Sequence, residues 1–533
     1  MNKIEELRQF MQENNLDYFL VPSTDEYLNE FVEPEYSPRY HISGFSGSTG
    51  DVLLSKTEAF LFVDGRYHKQ ADDEANKATT VIKLEFGQSQ RNAIKNILQE
   101  KSGKLGIIAK KISHQHYQEL AENLPNIEFV EFDFDPIIQE NTKRKPHIYK
   151  VKNKMAGLSA DEKLSIIQEK MDSDIIIVTA LDEISYLTNL RSDAFLYNSC
   201  IPAKAIIEKD RCLVFSNLKL PQIGKNFEVL KENKFLEYLK MPQKTEISKN
   251  SINLQTREAI SQHLIKERAP SIISELKGIK NSNEIAHLKK CFKKTDKALK
   301  KIQRKLKPKH TQQDLNNKTS KYLKKYGARS LSFATISASA EDTAIVHFTH
   351  PSNKKTENSL ILLDCGGYFK GGYATDITQT FWMGPNEPSN LHKKIYTIVL
   401  KGFLAGINYQ LSETTTGKEL DNAVRTPLDE FMPEGFSFPH STGHGIGILV
   451  HEAIPCITPS LAGEKPLQAG MVFSIEPGLY KPNEFGVRLE RVVYITEENT
   501  IEPLSTLPFD EKLIDYNLLN TTEIEQLRKW QNQ

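Results

Sequence analysis

The sequence predicts a multidomain α/β chain, in which two related α/β units precede a third unit of different character. Three observations carry this. The chain has 533 residues, 39% hydrophobic and 26% charged, which is room for about three domains with real cores at roughly 150 residues each. Two stretches of the N-terminal half resemble each other: DYFLVPSTDEY from Asp17 and DIIIVTALDEI from Asp174, each opening on an Asp and carrying a DE pair at the same offset. From about Ser332, ionisable residues appear inside strand-like apolar runs. The expected limits are 1–145, 146–275 and 276–533.

In chain order, Ile4, Leu7, Phe10 and Met11 stand at helical spacing, which predicts an N-terminal helix rather than a signal-peptide core. In each related unit the repeat reads as a buried strand, an acidic helix start, then further strands. DVLLS and AFLFVD supply these in the first unit, PAKAIIE and RCLVFS in the second. The third unit opens with a basic helix. Ile285, Leu288, Phe292, Leu299, Ile302 and Leu306 alternate by three and four residues, and Lys289, Lys290, Lys293, Lys294, Lys297, Lys300, Lys301, Arg304 and Lys305 fill the rest. One face packs on a sheet, the lysines are solvated, and Pro308 ends the helix.

Composition excludes several functions. Lys+Arg 69 balances Asp+Glu 69, which argues against a nucleic-acid binder, since that needs a basic surplus. No apolar run approaches a membrane span. Cys200, Cys212, Cys291, Cys365 and Cys456 are scattered, odd in number and form no CxxC, so neither a disulfide framework nor a cysteine zinc site is expected. The expectation is a cytoplasmic protein without nucleic-acid or membrane partners.

The chemistry lies in the third unit. LILLDCGG puts Asp364 at the end of an apolar run, and GGYATDITQTF puts Asp376 in a second strand after a Gly371–Gly372 turn. MVFSIEPG puts Glu476 at the end of another run, and FGVRLERVVYI puts Glu490 inside a further one. PHSTGHGIG adds His444. Any one of these could be an ion-paired core residue or a strand-end cap. Four carboxylates in one pocket cannot all ionise without cations. Oxygen-rich ligation with one His suits two divalent ions such as Mn²⁺, Co²⁺, Fe²⁺ or Zn²⁺, which would lower the pKa of a shared water to make a hydroxide nucleophile. The spacing fits two hairpins, Asp364/Asp376 and Glu476/Glu490, with the His between them.

This D…D…H…E…E order, set in TDIT, STGHGIG, SIEPG and GVRLE, resembles the pita-bread metallopeptidases, and over essentially its full length the chain is similar to their three-domain aminopeptidase P (Xaa-Pro aminopeptidase) branch. RYHISGFSGSTG, FVDGRY, ALDEISYLTNLR, LKGIKNSNEI and PFDEKLIDYNLL carry the resemblance outside the metal motifs. It implies two creatinase-like α/β domains followed by a pita-bread α+β catalytic domain. Asp364 and Asp376 would hold one ion and His444 and Glu476 the other, with Asp376 and Glu490 bridging; manganese is the first expectation, zinc, cobalt or iron the alternatives. His347, His440 and His451 match the family's active-site histidines and Arg488 an arginine beside the bridging carboxylate. Glu476 is a candidate proton shuttle, while His350 and His68 are read as structural. The implied reaction is hydrolysis of the N-terminal Xaa-Pro bond of short peptides through a metal-bridging hydroxide, by a homodimer.

Several positions depart from the family pattern. Asp364 and Asp376 are twelve apart where eleven is usual, the extra residue being one of Gly371/Gly372. Gln379 stands where TDITRT is usual, Phe348 replaces a Tyr, Ser441 a Gly, and Arg491 an Asn. The rival readings are a prolidase-like peptidase of the same fold and a catalytically silent binding relative.

Overall fold

The computed structural model describes residues 3–138, 145–241, 243–261 and 264–532. The chain divides into two compact units: Met1–Lys150, Leu158–Leu196 and Cys200–Ile273 form one, and Val151–Gly157, Tyr197–Ser199 and Ser274–Gln533 form the other.

The first unit opens with the helix Lys3–Glu13, whose apolar spacing buries Ile4, Leu7 and Met11. It holds two six-stranded sheets. The first consists of Tyr18–Val21, Val52–Ser55, Ala59–Asp64, Thr80–Leu84, Gly103–Ile108 and Ile127–Phe132, and the second of Ile175–Val178, Lys204–Ile207, Cys212–Phe215, Phe227–Leu230, Thr245–Ser248 and Ile265–Arg268. Counted along the chain within each sheet, both run 4-3-2-1-5-6. Their senses also coincide: the 1–2 and 2–3 pairs are antiparallel, the 3–4, 1–5 and 5–6 pairs parallel. Matching order and sense is what duplication of one ancestral unit leaves.

The expected acidic helix start holds in one copy only. Asp182 and Glu183 stand in the first turn of the helix Leu181–Thr188, where carboxylates meet the positive end of the helix dipole. Asp25 instead closes a turn, accepting the N–H groups of Tyr27 and Asn29. Pro34 and Pro38 disfavour helix at Glu33 and Ser37, and the α-helix forms at Pro38–Ser43.

In the second unit, Asn281 and Glu284 form a capping box that starts the helix Ser282–Lys305. Leu288, Phe292, Leu299 and Ile302 are buried, and the cationic residues take the opposite arc. Between residues 285 and 329 sixteen Lys and Arg stand against two Asp, and one of those, Asp296, is buried. Ile336–Ser339, Ser359–Cys365 and Ile377–Met383 form an antiparallel three-stranded sheet in that order. A five-stranded sheet runs Glu452–Ile457, Gly443–Gly445, Val472–Ile475, Arg491–Ile495, Ile501–Pro503, and Gly478–Lys481 pairs with Phe485–Arg488 as a hairpin. The helices Asn390–Ile407 and Gly417–Phe431 bury Val399, Phe403, Leu420 and Val424 against Phe473, Ile475 and Val493. Each such side chain contributes about 1.5–3 kcal/mol, which makes a stiff floor under the strand ends. All five cysteines are free. Among the described residues no helix is long and apolar enough to cross a membrane.

Candidate metal centre

Asp364 is the penultimate residue of Ser359–Cys365, and Asp376 directly precedes Ile377–Met383. The antiparallel register pairs Cys365 with Ile377 and so brings both acids to one end of the pair. Gly371 (φ 94°) and Gly372 (φ 70°) take up the extra residue in left-handed conformations that side chains resist. Glu476 directly follows Val472–Ile475. Glu490 was expected inside a strand but lies at the break between Phe485–Arg488 and Arg491–Ile495. The break has a cause: the Glu490 N–H donates to the Thr378 carbonyl at 3.1 Å, and the Leu489 N–H to Pro477 at 3.2 Å, so the chain crosses toward the other sheet. Ile475 pairs with Arg491, which sets the two glutamates side by side. His444 sits at a register shift in Gly443–Gly445, a bulge that re-aims its side chain.

The five side chains converge. Ligand atoms of Asp364, Asp376 and Glu490 lie within 4.8 Å of one another, and so do those of His444, Glu476 and Glu490; Glu490 belongs to both sets. His444 Nε2 is 3.3 Å from Glu476 and 3.7 Å from Asp376. His444 Nδ1 lies 3.0 Å from the Gly445 carbonyl. A carbonyl only accepts, so Nδ1 carries the proton and Nε2 is the atom turned to the acids, as a metal-ligating imidazole requires. The Asp364 Oδ1, Asp376 Oδ1 and Glu490 Oε1 atoms are buried without a hydrogen-bond partner among the described residues. Buried carboxylate oxygens are costly to leave bare, and three of them on side chains that converge this closely fit a divalent cation.

Electrostatics agree. Burial, reinforced by Glu490 and Asp364, pushes the Asp376 carboxyl well above the usual carboxylate range. Burial and Glu476 push Glu490 up to about 8. Burial works against ionised Glu476 too, but the His444 hydrogen bond and charge hold it at about 2. His444 is correspondingly pushed up to about 9, Glu476 outweighing burial. Acids this close share protons unless cations take the protons' place.

Arg488, His451 and His440 are tied to this cluster, and His347 follows Val346 in the chain. Arg488 is buried; its Nη2 donates to Asp364 Oδ2 at 2.7 Å, Nε to Thr378 Oγ1 at 3.0 Å, and Nη1 to the Val346 carbonyl, next to His347, at 3.3 Å. The His451 ring stands 4.4 Å from that of His444, and His451, His444 and Asp376 form a third close set. His440 Nδ1 faces the Ser441 carbonyl and Nε2 faces the Tyr480 hydroxyl, both at 2.9 Å. Nδ1 therefore holds the proton, Tyr480 donates to Nε2, and Tyr480 accepts from Arg488 Nη1 at 2.8 Å. Burial pushes His440 down to about 4, which leaves it neutral. His350 is exposed, and His68 Nε2 lies 3.0 Å from the Leu84 carbonyl.

Sequence reasoning missed several partners. Tyr480 links Arg488 to His440. Thr378 donates to Glu490 Oε2 at 2.8 Å, and Ser474 donates to Glu476 at 3.0 Å. Glu452, beside His451, is buried between Lys277 (2.7 Å) and Lys280 (2.8 Å) and accepts the Ile448 N–H at 2.8 Å. The one signal for it was LKGIKN, which sets Lys277 and Lys280 three residues apart at the entry to the third unit. The departures are also accommodated. Gln379 bonds Gln303 and the Pro508 carbonyl. Arg491 returns a buried cation next to Glu490, donating to the carbonyls of Thr378, Glu490 and Leu507. Phe348 packs against the cluster of Ile336, Ala338 and Leu362, and Ser441 donates to Thr458.

Comparison with known proteins gives the same picture. Residues 286–497 match metallopeptidase family M24, and residues 3–140 and 139–284 each match a creatinase/prolidase N-terminal domain. The chain is 30% identical to an uncharacterised peptidase of Schizosaccharomyces pombe over 576 residues, covering 100% of this chain and 95% of that one. It is 28% identical to Xaa-Pro aminopeptidase 1 of Dictyostelium discoideum, covering 98% and 90%. Its fold matches the X-prolyl aminopeptidase of Caenorhabditis elegans, described as a cytosolic enzyme with a di-nuclear active site, at a TM-score of 0.90 and 23% identity over 99% and 94% of the chains.

Proposed function

The chain belongs to metallopeptidase family M24, with two creatinase-type N-terminal domains, and from that premise we propose that it is an Xaa-Pro aminopeptidase releasing the first residue of short peptides with proline second. The observation that carries the reading is the convergence of the Asp364, Asp376 and Glu490 carboxylates, each with one bare buried oxygen, in a set that shares Glu490 with His444 and Glu476. Asp364 and Asp376 would hold one divalent cation and His444 and Glu476 a second, with Asp376 and Glu490 shared. Manganese is the first candidate, ahead of zinc, cobalt and iron. When bound, such a pair supplies an acidified water and a Lewis acid for the scissile carbonyl.

The chain's own residues supply the rest. Arg488 and Thr378 orient Asp364 and Glu490 through the hydrogen bonds above. His347 and His451 would donate to the developing oxyanion. Glu476, ionised and bonded to Ser474, would carry a proton to the leaving nitrogen. Neutral His440, aligned by Tyr480, completes the substrate-facing set. A proline nitrogen has no N–H and a fixed φ, so its pocket needs shape and no acceptor. The division at 1–145, 146–275 and 276–533, a cytoplasmic location and a homodimer belong to the same proposal.

The test is hydrolysis of Arg-Pro-Pro, Arg-Ala-Ala and Gly-Pro with added Mn²⁺, with metal content measured on the same protein. Rapid cleavage of Arg-Pro-Pro alone, abolished by a chelator, is expected. Cleavage of Gly-Pro alone would assign a prolidase, and no metal with no cleavage a binding protein.

A further inference from the structure

His440 stands in a stretch outside any strand, and something must hold it. The helix Gly417–Phe431 offers two side chains one turn apart, Asp421 and Arg425. Arg425 Nε donates to Asp421 Oδ2 at 2.9 Å. Its Nη1 donates to the Phe438 carbonyl at 3.3 Å and its Nη2 to the His440 carbonyl. The guanidinium also lies over the Phe438 ring, 4.0 Å from its centre. Asp421 is buried, and its Oδ1 accepts the Thr442 N–H at 3.3 Å. The pair thus grips the main chain at 438, 440 and 442, on both sides of the imidazole. Phe438 adds an edge-to-face contact with the His440 ring at 4.8 Å. Beyond this stretch main-chain bonds take over, between Ser437 and Tyr480 and from the Glu476 N–H to Thr442.

We propose that Arg425, backed by Asp421, is a positioning residue that sets the His440 ring against Tyr480 and acts on turnover only through His440. The inference rests on the reading of His440 as substrate-facing. A guanidinium alone matches this task, since it reaches two carbonyls and a carboxylate with one rigid fork. Misplacing a catalytic group by about 1 Å costs on the order of 100-fold.

The test is a double-mutant cycle on Arg-Pro-Pro hydrolysis with wild type, Arg425→Met, His440→Ala and the double variant. Metal content is checked in each, and Lys401→Met, which breaks the half-buried Lys401–Glu523 pair elsewhere in the unit, serves as a stability control. Expected are a roughly 10–100-fold fall in kcat/KM for Arg425→Met, metal content as in wild type, and a double variant no slower than His440→Ala. Arg425→Lys, keeping the charge without the fork, should recover only part. The second readout needs no activity. In ¹⁵N-histidine spectra the His440 signal, assigned by its loss in His440→Ala, should report one Nδ1–H tautomer in wild type and a tautomer mixture in Arg425→Met. An additive double variant, a Lys401→Met loss as large as that of Arg425→Met, or an unchanged His440 signal would overturn the inference. Full activity in His440→Ala would sink the reading of His440 and this inference with it. A slow His440→Ala beside a fast Arg425→Met would sink this inference alone.

Discussion

Asp376 is the residue with most at stake, because three acids press on it and burial denies it water. Asp376→Asn removes one negative group from a crowded cluster. Turnover should be lost and bound metal reduced, yet the chelator-treated variant should melt no lower than chelator-treated wild type, since like-charge repulsion is relieved. Peptidase assay, metal analysis and thermal melting check this; full activity would refute the shared-ligand role. The four acids of the cluster were legible in the sequence because carboxylates inside apolar runs demand compensation, and His444 because it stands in a glycine-rich segment between them. Tyr480 and Thr378 were not, because a hydroxyl in a strand carries no charge to betray it and its partners lie far away in the chain. Arg491 read only as a departure until Thr378, Glu490 and Leu507 came within its reach.

Elements decide how the histidines are presented. A Cβ on Gly443 would meet the Ser474 carbonyl at 1.8 Å, so Gly443→Ala should part the His444 strand from its neighbour and lower metal content and thermal midpoint together. The Glu452 side chain ties the segment carrying Lys277 and Lys280 to the turn before His451. Burial opposes ionised Glu452, yet the two ammonium groups hold it down at about 2, while burial and mutual repulsion push Lys280 down. A carboxyl held below its ordinary value of 4.5 contributes stability above that value and loses it as pH falls toward about 2. Glu452→Gln should therefore cost about 3–5 kcal/mol at pH 7 by stranding buried cations and flatten the loss of stability between about pH 4.5 and 2; urea melts across that range test both. Strand and helix positions in this unit followed from periodicity, but the Glu490 break did not, because it comes from a hydrogen bond to the other sheet rather than from local preference. The missing helix after Asp25 has a local cause, since the Asp25 carboxylate accepts the Tyr27 and Asn29 N–H groups in a turn instead of capping a helix.

For the molecule as a whole, the tail motif PFDEKLIDYNLL makes sense once folded. Phe509, Leu513 and Ile514 enter the catalytic core. The Leu507 carbonyl accepts from Arg491 and, at 3.0 Å, from Trp530 Nε1, and Asp510 accepts the Trp382 N–H at 2.7 Å. A truncation after Ser505 should leave no folded catalytic unit, which circular dichroism and proteolysis would reveal. The duplication was legible in two short matching strings, whereas the strand order and sense were not, because pairing between strands far apart in the chain leaves no mark on the local pattern. A homodimer should sediment at twice 60.7 kDa.

The cationic face of Ser282–Lys305 sets how the protein behaves on charged media. Lys+Arg equals Asp+Glu for the chain, so the surplus gathered between residues 285 and 329 is offset by an acidic excess over the rest of the sequence. Loaded at pH 8, above its isoelectric point near 7.2, it should still be retained on a sulfonate resin by that helix face and elute with modest salt, as screening over about 10 Å at 0.1 M dictates. A variant with Lys290, Lys294, Lys297 and Lys301 changed to Gln should pass straight through the column.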